Sequence, residues 1–243
     1  PASFDNTLLP LEKSGAILDR TSRVFFGVVQ ADTNPERQKI QEQVIPKLAA
    51  HSDAIHLDPR LFERVKAVYD ARAGAGLDPE QLRVVEETYK GFVKAGAQLS
   101  DTDKETLKRY NAEEATLAND FHNKLVAATA AGAVVVEDKD TLAGLSDGDI
   151  AAAAEAAKDR KLDGKWVLAL QNTTQQPVLA SLRDRALRAR VLQASETRTE
   201  QGDGNDTRAI IQRLAQLRAA KAKLLGFPNY AAYNLTDQMA QTP

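Results

Sequence analysis

The chain has no cysteine, one methionine and one tryptophan, and aromatic residues make up only 5% of its 243 positions. Without thiols there is no disulfide framework and no thiolate to hold a metal. A cysteine-free protein survives in cytoplasm and periplasm alike, so this absence does not choose a compartment. Long apolar runs are missing too. No window approaches the roughly 18 consecutive apolar residues of a membrane-crossing helix, and no basic-then-apolar leader opens the chain. Pro1 stands where an initiator methionine would, as expected of a chain whose start was removed or never included. A dominant charge is also lacking: Lys and Arg number 32 against 34 Asp and Glu, leaving −2. Nucleic acid, which draws proteins by a basic field, is not an expected partner.

What is present favours helices. Hydrophobic residues at 43% and charged residues at 27% are ordinary for a globular protein, and alanine is abundant, so aliphatic helix packing is expected. Asn34-Pro35, Asp58-Pro59 and Asp78-Pro79 each put a capping side chain before a proline at the first helical position, where its missing N–H costs nothing. Helices are expected over about 7–30 (broken near Asp19), 35–57, 59–73 and 79–98, with a tight turn at Ala73–Leu77. Ser100 and Asp103 open the longest, about 102–131, with a stripe of Leu107, Tyr110, Leu117, Phe121, Leu125 and Ala128. Two stretches read as strands, about 133–137 and 166–170, and pairing into a small antiparallel sheet would satisfy their backbones. Ser146 caps a helix to Lys158, Pro177 opens a short one, and Asp184 to about Arg198 forms another. The expected fold is mainly α: an elongated multi-helix array with one two-stranded sheet.

The last stretch, Asn205 to Pro243, is an amphipathic helix carrying Ile210, Leu214, Leu217, Leu224 and Leu225. A left-handed stop follows at Gly226, then a second helix from Asn229 to about Ala240 with Tyr230 and Tyr233.

Few residues suggest chemistry by themselves. His51 and His56 are five apart, about 140° around a helix, where a zinc pair needs i, i+4. His122 lies beside Phe121 without an acid–base pattern and reads as packing. Glu86-Glu87 and Glu113-Glu114 read as solvated helix faces. Asp203-Gly204-Asn205-Asp206 faintly resembles a calcium loop, but Arg208 occupies the sixth position, which requires glycine. No Gly-x-Ser-x-Gly or phosphate-cradling glycine loop occurs.

The order of residues says more. Leu217-Arg218, Ala222, Leu224-Leu225-Gly226, Tyr230-Ala231, Tyr233, Leu235, Met239-Ala240 and Pro243 together resemble the thimet oligopeptidase family of zinc metallopeptidases. Within it they look most like the bacterial dipeptidyl carboxypeptidase (peptidyl-dipeptidase) branch. Phe4-Asp5-Asn6-Thr7, Ser22 to Phe26, Asp163-Gly164-Lys165-Trp166 and Gln171 to Pro177 agree with this, so the likeness covers essentially the whole chain.

The resemblance implies two mainly helical halves facing each other across a channel that admits short peptides. Zinc sits on an HExxH helix with a further Glu as third ligand, and the motif Glu activates water. None of those residues has a counterpart here, so no catalytic and no metal residue is carried over. Zinc is expected in the full-length parent and not in this stretch. Residues 1–243 are then expected to form one wall of the channel, with the C-terminal catalytic portion and short peptides as partners, in bacterial cytoplasm or periplasm. The polar exit from the second strand, with Asn172, Thr173, Gln175 and Gln176, is the expected cleft wall, its amides bonding an extended peptide. In the series Arg183, Arg185, Arg188 and Arg190, Arg183 is a candidate carboxylate clamp, although the series interleaves with Leu182, Leu187 and Val191 like a solvated flank. The alternative is a stand-alone helical binding or scaffold module.

Overall fold

The computed structural model describes residues 1–243, which divide into two compact units, one of residues 1–119 and 214–243 and one of 120–213. In the first unit the helix starts follow from side chains that accept from the first unpaired N–H groups. Ser3 caps a π-helical turn, Phe4–Leu8, in a reciprocal box with Asn6, and the chain continues as α1 (Leu9–Lys13). The break before α2 (Ala16–Ala31) falls at Ser14-Gly15, not at Asp19, because Gly15 takes a left-handed φ of 73° that costs other residues energy. Asn34, Asp58 and Asp78 cap α3 (Pro35–His56), α4 (Pro59–Ala71) and α5 (Pro79–Lys94), each with proline inside the first turn.

The α5 helix ends earlier than its pattern suggests. Gly96 turns left-handed, so the Ala97 N–H reaches Phe92 O at 3.0 Å and the Gly96 N–H reaches Val93 O at 3.0 Å, which satisfies the last carbonyls. A Cβ on Gly96 would lie 2.7 Å from Leu107 Cδ2 and 3.2 Å from Leu225 Cδ2, so the missing side chain also lets neighbouring elements close in. Phe62, Val65, Phe92 and Ala97 form one cluster, and Leu8, Val68 and Val85 a second. Tyr69 and Tyr89 stack at 3.9 Å with Arg72 over the Tyr69 ring. Fully buried aliphatic and aromatic side chains of this kind contribute about 1.5–3 kcal/mol each, which makes α4 and α5 the best-anchored pair.

Helix α6 (Asp101–Ala131) begins in the first unit, and its residues from 120 onward belong to the second. Of its expected stripe, Leu107 and Ala128 are buried and Tyr110, Leu117, Phe121 and Leu125 are half-buried. The second unit continues with β1 (Val134–Val136), a 3₁₀ turn over Lys139–Leu142 that no sequence signal announced, α7 (Asp147–Lys158) and β2 (Trp166–Leu168). The strands pair antiparallel, Val134 with Leu168 and Val136 with Trp166. Both are shorter than expected but are the two anticipated. Ser146 and Asp149 form a capping box at α7, and Asp184 caps α9 (Arg185–Thr197). Val134, Val136, Leu142, Leu168, Leu182, Leu187 and Val191 bury together as this unit's core.

Between β2 and α9, α8 runs Asn172–Ser181 with Pro177 inside it. This corrects the expected start at Pro177. Gln171 in extended conformation is the N-cap, and its carbonyl accepts from the N–H groups of Thr174 at 2.9 Å and Gln175 at 2.7 Å. Polar residues of modest helix propensity, Asn172 to Gln176, are thus drawn into a helix by the burial of Gln175 and Val178 below them.

The chain returns to the first unit along α10 (Arg208–Leu224) and ends with α11 (Tyr230–Leu235), shorter than the expected helix to Ala240. Gly226 closes α10 by the same left-handed pattern as Gly96, with Phe227 N–H on Ala222 O at 2.9 Å. Within the first unit, α10 is tied to α6 by one carboxylate: Glu114 takes Arg218 Nε at 2.8 Å on Oε1 and Lys221 Nζ at 3.1 Å on Oε2. Burial pushes the Glu114 carboxyl up, but these two cations outweigh it and hold it below its ordinary value. A carboxyl depressed in the folded state adds stability above its unfolded pKa, and that stability is lost as pH falls through the folded value. Glu114→Gln is therefore expected to cost about 2 kcal/mol at pH 7. In urea titrations the gap from the parent chain should close as pH falls below the ordinary carboxylate range.

Candidate functional site

The five expected contact residues fall in and beside α8. Asn172, Thr173 and Gln176 are exposed on it, while Gln175 is buried. The Gln175 amide oxygen accepts from Ser195 Oγ on α9 at 2.9 Å, so its bonding capacity is directed into the protein. Because the segment is helical, it is not the extended strand exit anticipated, and its main-chain groups are used within α8. Arg183 is exposed just after α8, and its N–H donates to Ala143 O at 2.8 Å. Gly144 makes that approach possible: with φ at 104°, a Cβ there would stand 2.2 Å from Ser181 O. The arginines of α9 are occupied differently, Arg188 with the carbonyls of Leu182 and Arg183 and Arg190 with that of Val135 at 3.1 Å.

The histidines do not converge. His51 and His122 are exposed, and His56 places Nδ1 2.9 Å from Ser52 O with its ring 5.0 Å from Phe92. No three His, Asp or Glu side chains are grouped so as to hold a metal ion. Asp53, pushed up by burial although Asn111 Nδ2 bonds it at 2.7 Å, stands near Lys221, Lys108 and His56, with no metal-holding group of three around it.

Each unit has a hollow. The one in the first unit, about 980 Å³, lies beside the end of α5 and the residues after α10, including Tyr89, Leu225, Phe227 and Met239. Lys94 pairs there with Asp237 at 2.6 Å and lies 5.3 Å over the Tyr233 ring, which leaves no unpaired charge on that pair. The one in the second unit, about 550 Å³, is walled by the end of α6, β1 and α9, with Arg190, Arg198 and Asp203 on its lining. None of the five expected residues lines either hollow. Arg198 and the small wall residue Gly132 escaped sequence reasoning; the only signal was that Arg190 and Arg198 lie eight apart, near two turns of one helix.

Sequence comparison gives these features a context. The chain is 52% identical to the dipeptidyl carboxypeptidase of Salmonella typhimurium and 51% to that of Escherichia coli, each over 240 residues that make up 99% of this chain. Oligopeptidase A of Escherichia coli is 28% identical over the whole chain. Residues 178–243 match the model of Peptidase family M3. The chain is thus similar to dipeptidyl carboxypeptidases over nearly its whole length, and to peptidase family M3 over its last quarter. It spans about a third of the length of the curated relatives it matches, 35% of each dipeptidyl carboxypeptidase and 36% of oligopeptidase A. M3 peptidases are zinc enzymes, but the donors of this chain do not fit a zinc set: the three histidines are apart and no acids join them.

Two substitutions test the local architecture around α8. Gly144→Ala is expected to destabilise the second unit by about 3 kcal/mol or more, from the clash and the positive φ together. Ser195→Ala should cost about 1 kcal/mol by stranding the Gln175 oxygen, whereas Asn172→Ala and Gln176→Ala should stay within about 0.5 kcal/mol. Chemical denaturation of the four variants checks both.

Proposed function

We propose that this chain is the N-terminal, non-catalytic part of a longer zinc metallopeptidase that removes dipeptides from the C-termini of oligopeptides. The observation that carries this reading is identity of 52% across nearly the whole chain with a protein almost three times its length, named for that activity. In this reading the chain forms one wall of a peptide channel and limits the size of what enters. The zinc and the water-activating base belong to the remaining length of the polypeptide. Asn172, Thr173 and Gln176 on α8, with Arg183 beyond it, are the residues offered to a passing peptide. Gln175 acts from beneath, holding α8 to α9.

A second feature supports an incomplete surface. Helix α2 buries only Val29, and its Ile17, Val24 and Val28 are 82%, 65% and 42% exposed. Spaced seven and four apart, they form one apolar stripe, the kind of face that a soluble protein covers. The proposed cover is the rest of the same polypeptide, and the hinged approach of the two parts would complete the site.

The test is complementation. This chain is mixed, with zinc, with a polypeptide carrying the length of the Escherichia coli dipeptidyl carboxypeptidase that it lacks, and dipeptide release from an oligopeptide is followed. Release is expected from the mixture only, and Ile17→Asp with Val24→Asp should weaken association by about tenfold or more. Dipeptide release by this chain alone would sink the reading. So would failure to bind the complementary polypeptide, which is the behaviour of a stand-alone scaffold.

A further inference from the structure

The hollow of the second unit combines three properties that ordinary packing does not require. Its apolar wall is made of small residues such as Ala131, Ala194 and Val134, which leaves about 550 Å³ open. Two arginines line it, and each guanidinium is bonded only to a neutral backbone carbonyl: Arg190 to Val135 O at 3.1 Å and Arg198 to Leu170 O at 3.4 Å. Arginine carries five donors, so most of the donors of both remain open, and neither is ion-paired. Gly132 keeps the wall beside Arg198 open, since a Cβ added there would stand 3.7 Å from the Arg198 Cβ. The third property is an unpaired strand edge. The sheet has only two strands, so one edge of β1 is covered by no strand; Val134 and Val135 line the hollow, and the Val135 carbonyl there is the one that Arg190 bonds.

Charge narrows what such a place can take. Asp203 is also on the lining, with Oδ1 accepting from the Asn205 N–H at 2.8 Å. Two cations and one anion leave a single positive excess. That suits a monoanion bonded in bidentate fashion and disfavours a phosphate, whose further charge would face Asp203. We propose that this hollow binds a free carboxylate carried on a small apolar body, with Arg190 and Arg198 holding the carboxylate and the alanine–valine wall taking the apolar part. The site lies wholly in the second unit and stands whether or not the peptidase reading does. The carboxylate can belong to the end of a short peptide, whose backbone would run along the free edge of β1, or to a small organic acid.

Calorimetric titration of this chain with N-acetyl-Ala-Leu, its C-terminal amide, isovalerate and inorganic phosphate separates these cases. The free acid is expected to bind about tenfold or more tightly than the amide. Arg190→Gln and Arg198→Gln should each weaken it by about tenfold while the chain stays folded, with only a small fall in melting temperature from the lost carbonyl bond, and Arg198→Lys should recover only part, because the planar fork is lost. Isovalerate matching the peptide assigns the organic-acid source; markedly weaker isovalerate assigns the peptide end and the strand edge. Equal affinity for acid and amide overturns the proposal, as does phosphate binding more tightly than either acid. Silence from both acids up to about 10 mM does the same. If an arginine variant does not fold, Asp203→Asn decides: it should tighten the acid by relieving repulsion, and unchanged affinity overturns the assignment.

Discussion

The first unit is built from two pieces of chain far apart in sequence, residues 1–119 and 214–243, and one carboxylate does most to join them. Glu114 receives Arg218 and Lys221 on separate oxygens, and the Arg218 guanidinium lies 5.2 Å from the Tyr230 ring centre. Without that junction the two tyrosines and the segment beyond them would depend on apolar contact and on Lys94, which pairs with Asp237 and lies over the Tyr233 ring. Nonpolar contact supplies most of the energy, but it is non-directional. The two charge-assisted bonds fix the rotational setting of α10, because only one face of that helix presents both cations to one acid. The setting of α10 in turn positions Leu225 over Gly96, and with it the hollow beside α5.

The second unit uses its cations in the opposite way. Arg188, Arg190 and Arg198 bond the backbone carbonyls of Leu182 after α8, Val135 in the middle of β1 and Leu170 just after β2. A guanidinium serving a carbonyl satisfies the backbone without neutralising its own charge. These three arginines therefore keep their charge beside the backbone they serve, although residues 120–213 as a whole hold 13 Lys and Arg against 14 Asp and Glu.

Much of the fold could be read in advance because its signals are local. An Asn or Asp before proline, or a Ser three residues before an Asp, determines a helix start through contacts within one turn, and the caps at Asn34, Asp58, Asp78 and Ser146 all form. The two valine- and tryptophan-led strands were likewise visible as short β-branched runs. The misses have two causes. The break at Gly15 is a local left-handed turn with open space around it, whereas the early end of α5 and the early start of α8 are decided by what packs against them: Leu107 and Leu225 at Gly96, Ser195 and the core beneath Gln175. For α8, proline gave a true helical signal at the wrong depth, and the polar residues before it looked extended because their burial partner lies twenty positions onward in α9. The second-unit hollow was illegible for the same reason. Its lining is drawn from α6, β1, α9 and the loop after α9, and no local pattern unites them.

The distribution of acids argues for where the chemistry lies. Asp58, Asp78 and Asp184 are taken up by the helix starts they cap, Glu114 by two cations, and Asp237 by Lys94. Asp58, Glu114 and Asp237 are held below the ordinary carboxylate range, the wrong direction for a general base working near neutrality. Asp53 is shifted the other way by burial, yet it faces Asn111, Lys221, Lys108 and His56, and no group of three potential ligands forms around it. A hydrolase needs an activated water and something to polarise the bond it attacks. Here the acids are committed to structure, while the features left open are an apolar helix face, two hollows and a pair of unpaired guanidiniums. Those are features of shape and binding, and they are what the proposed channel-wall reading draws on.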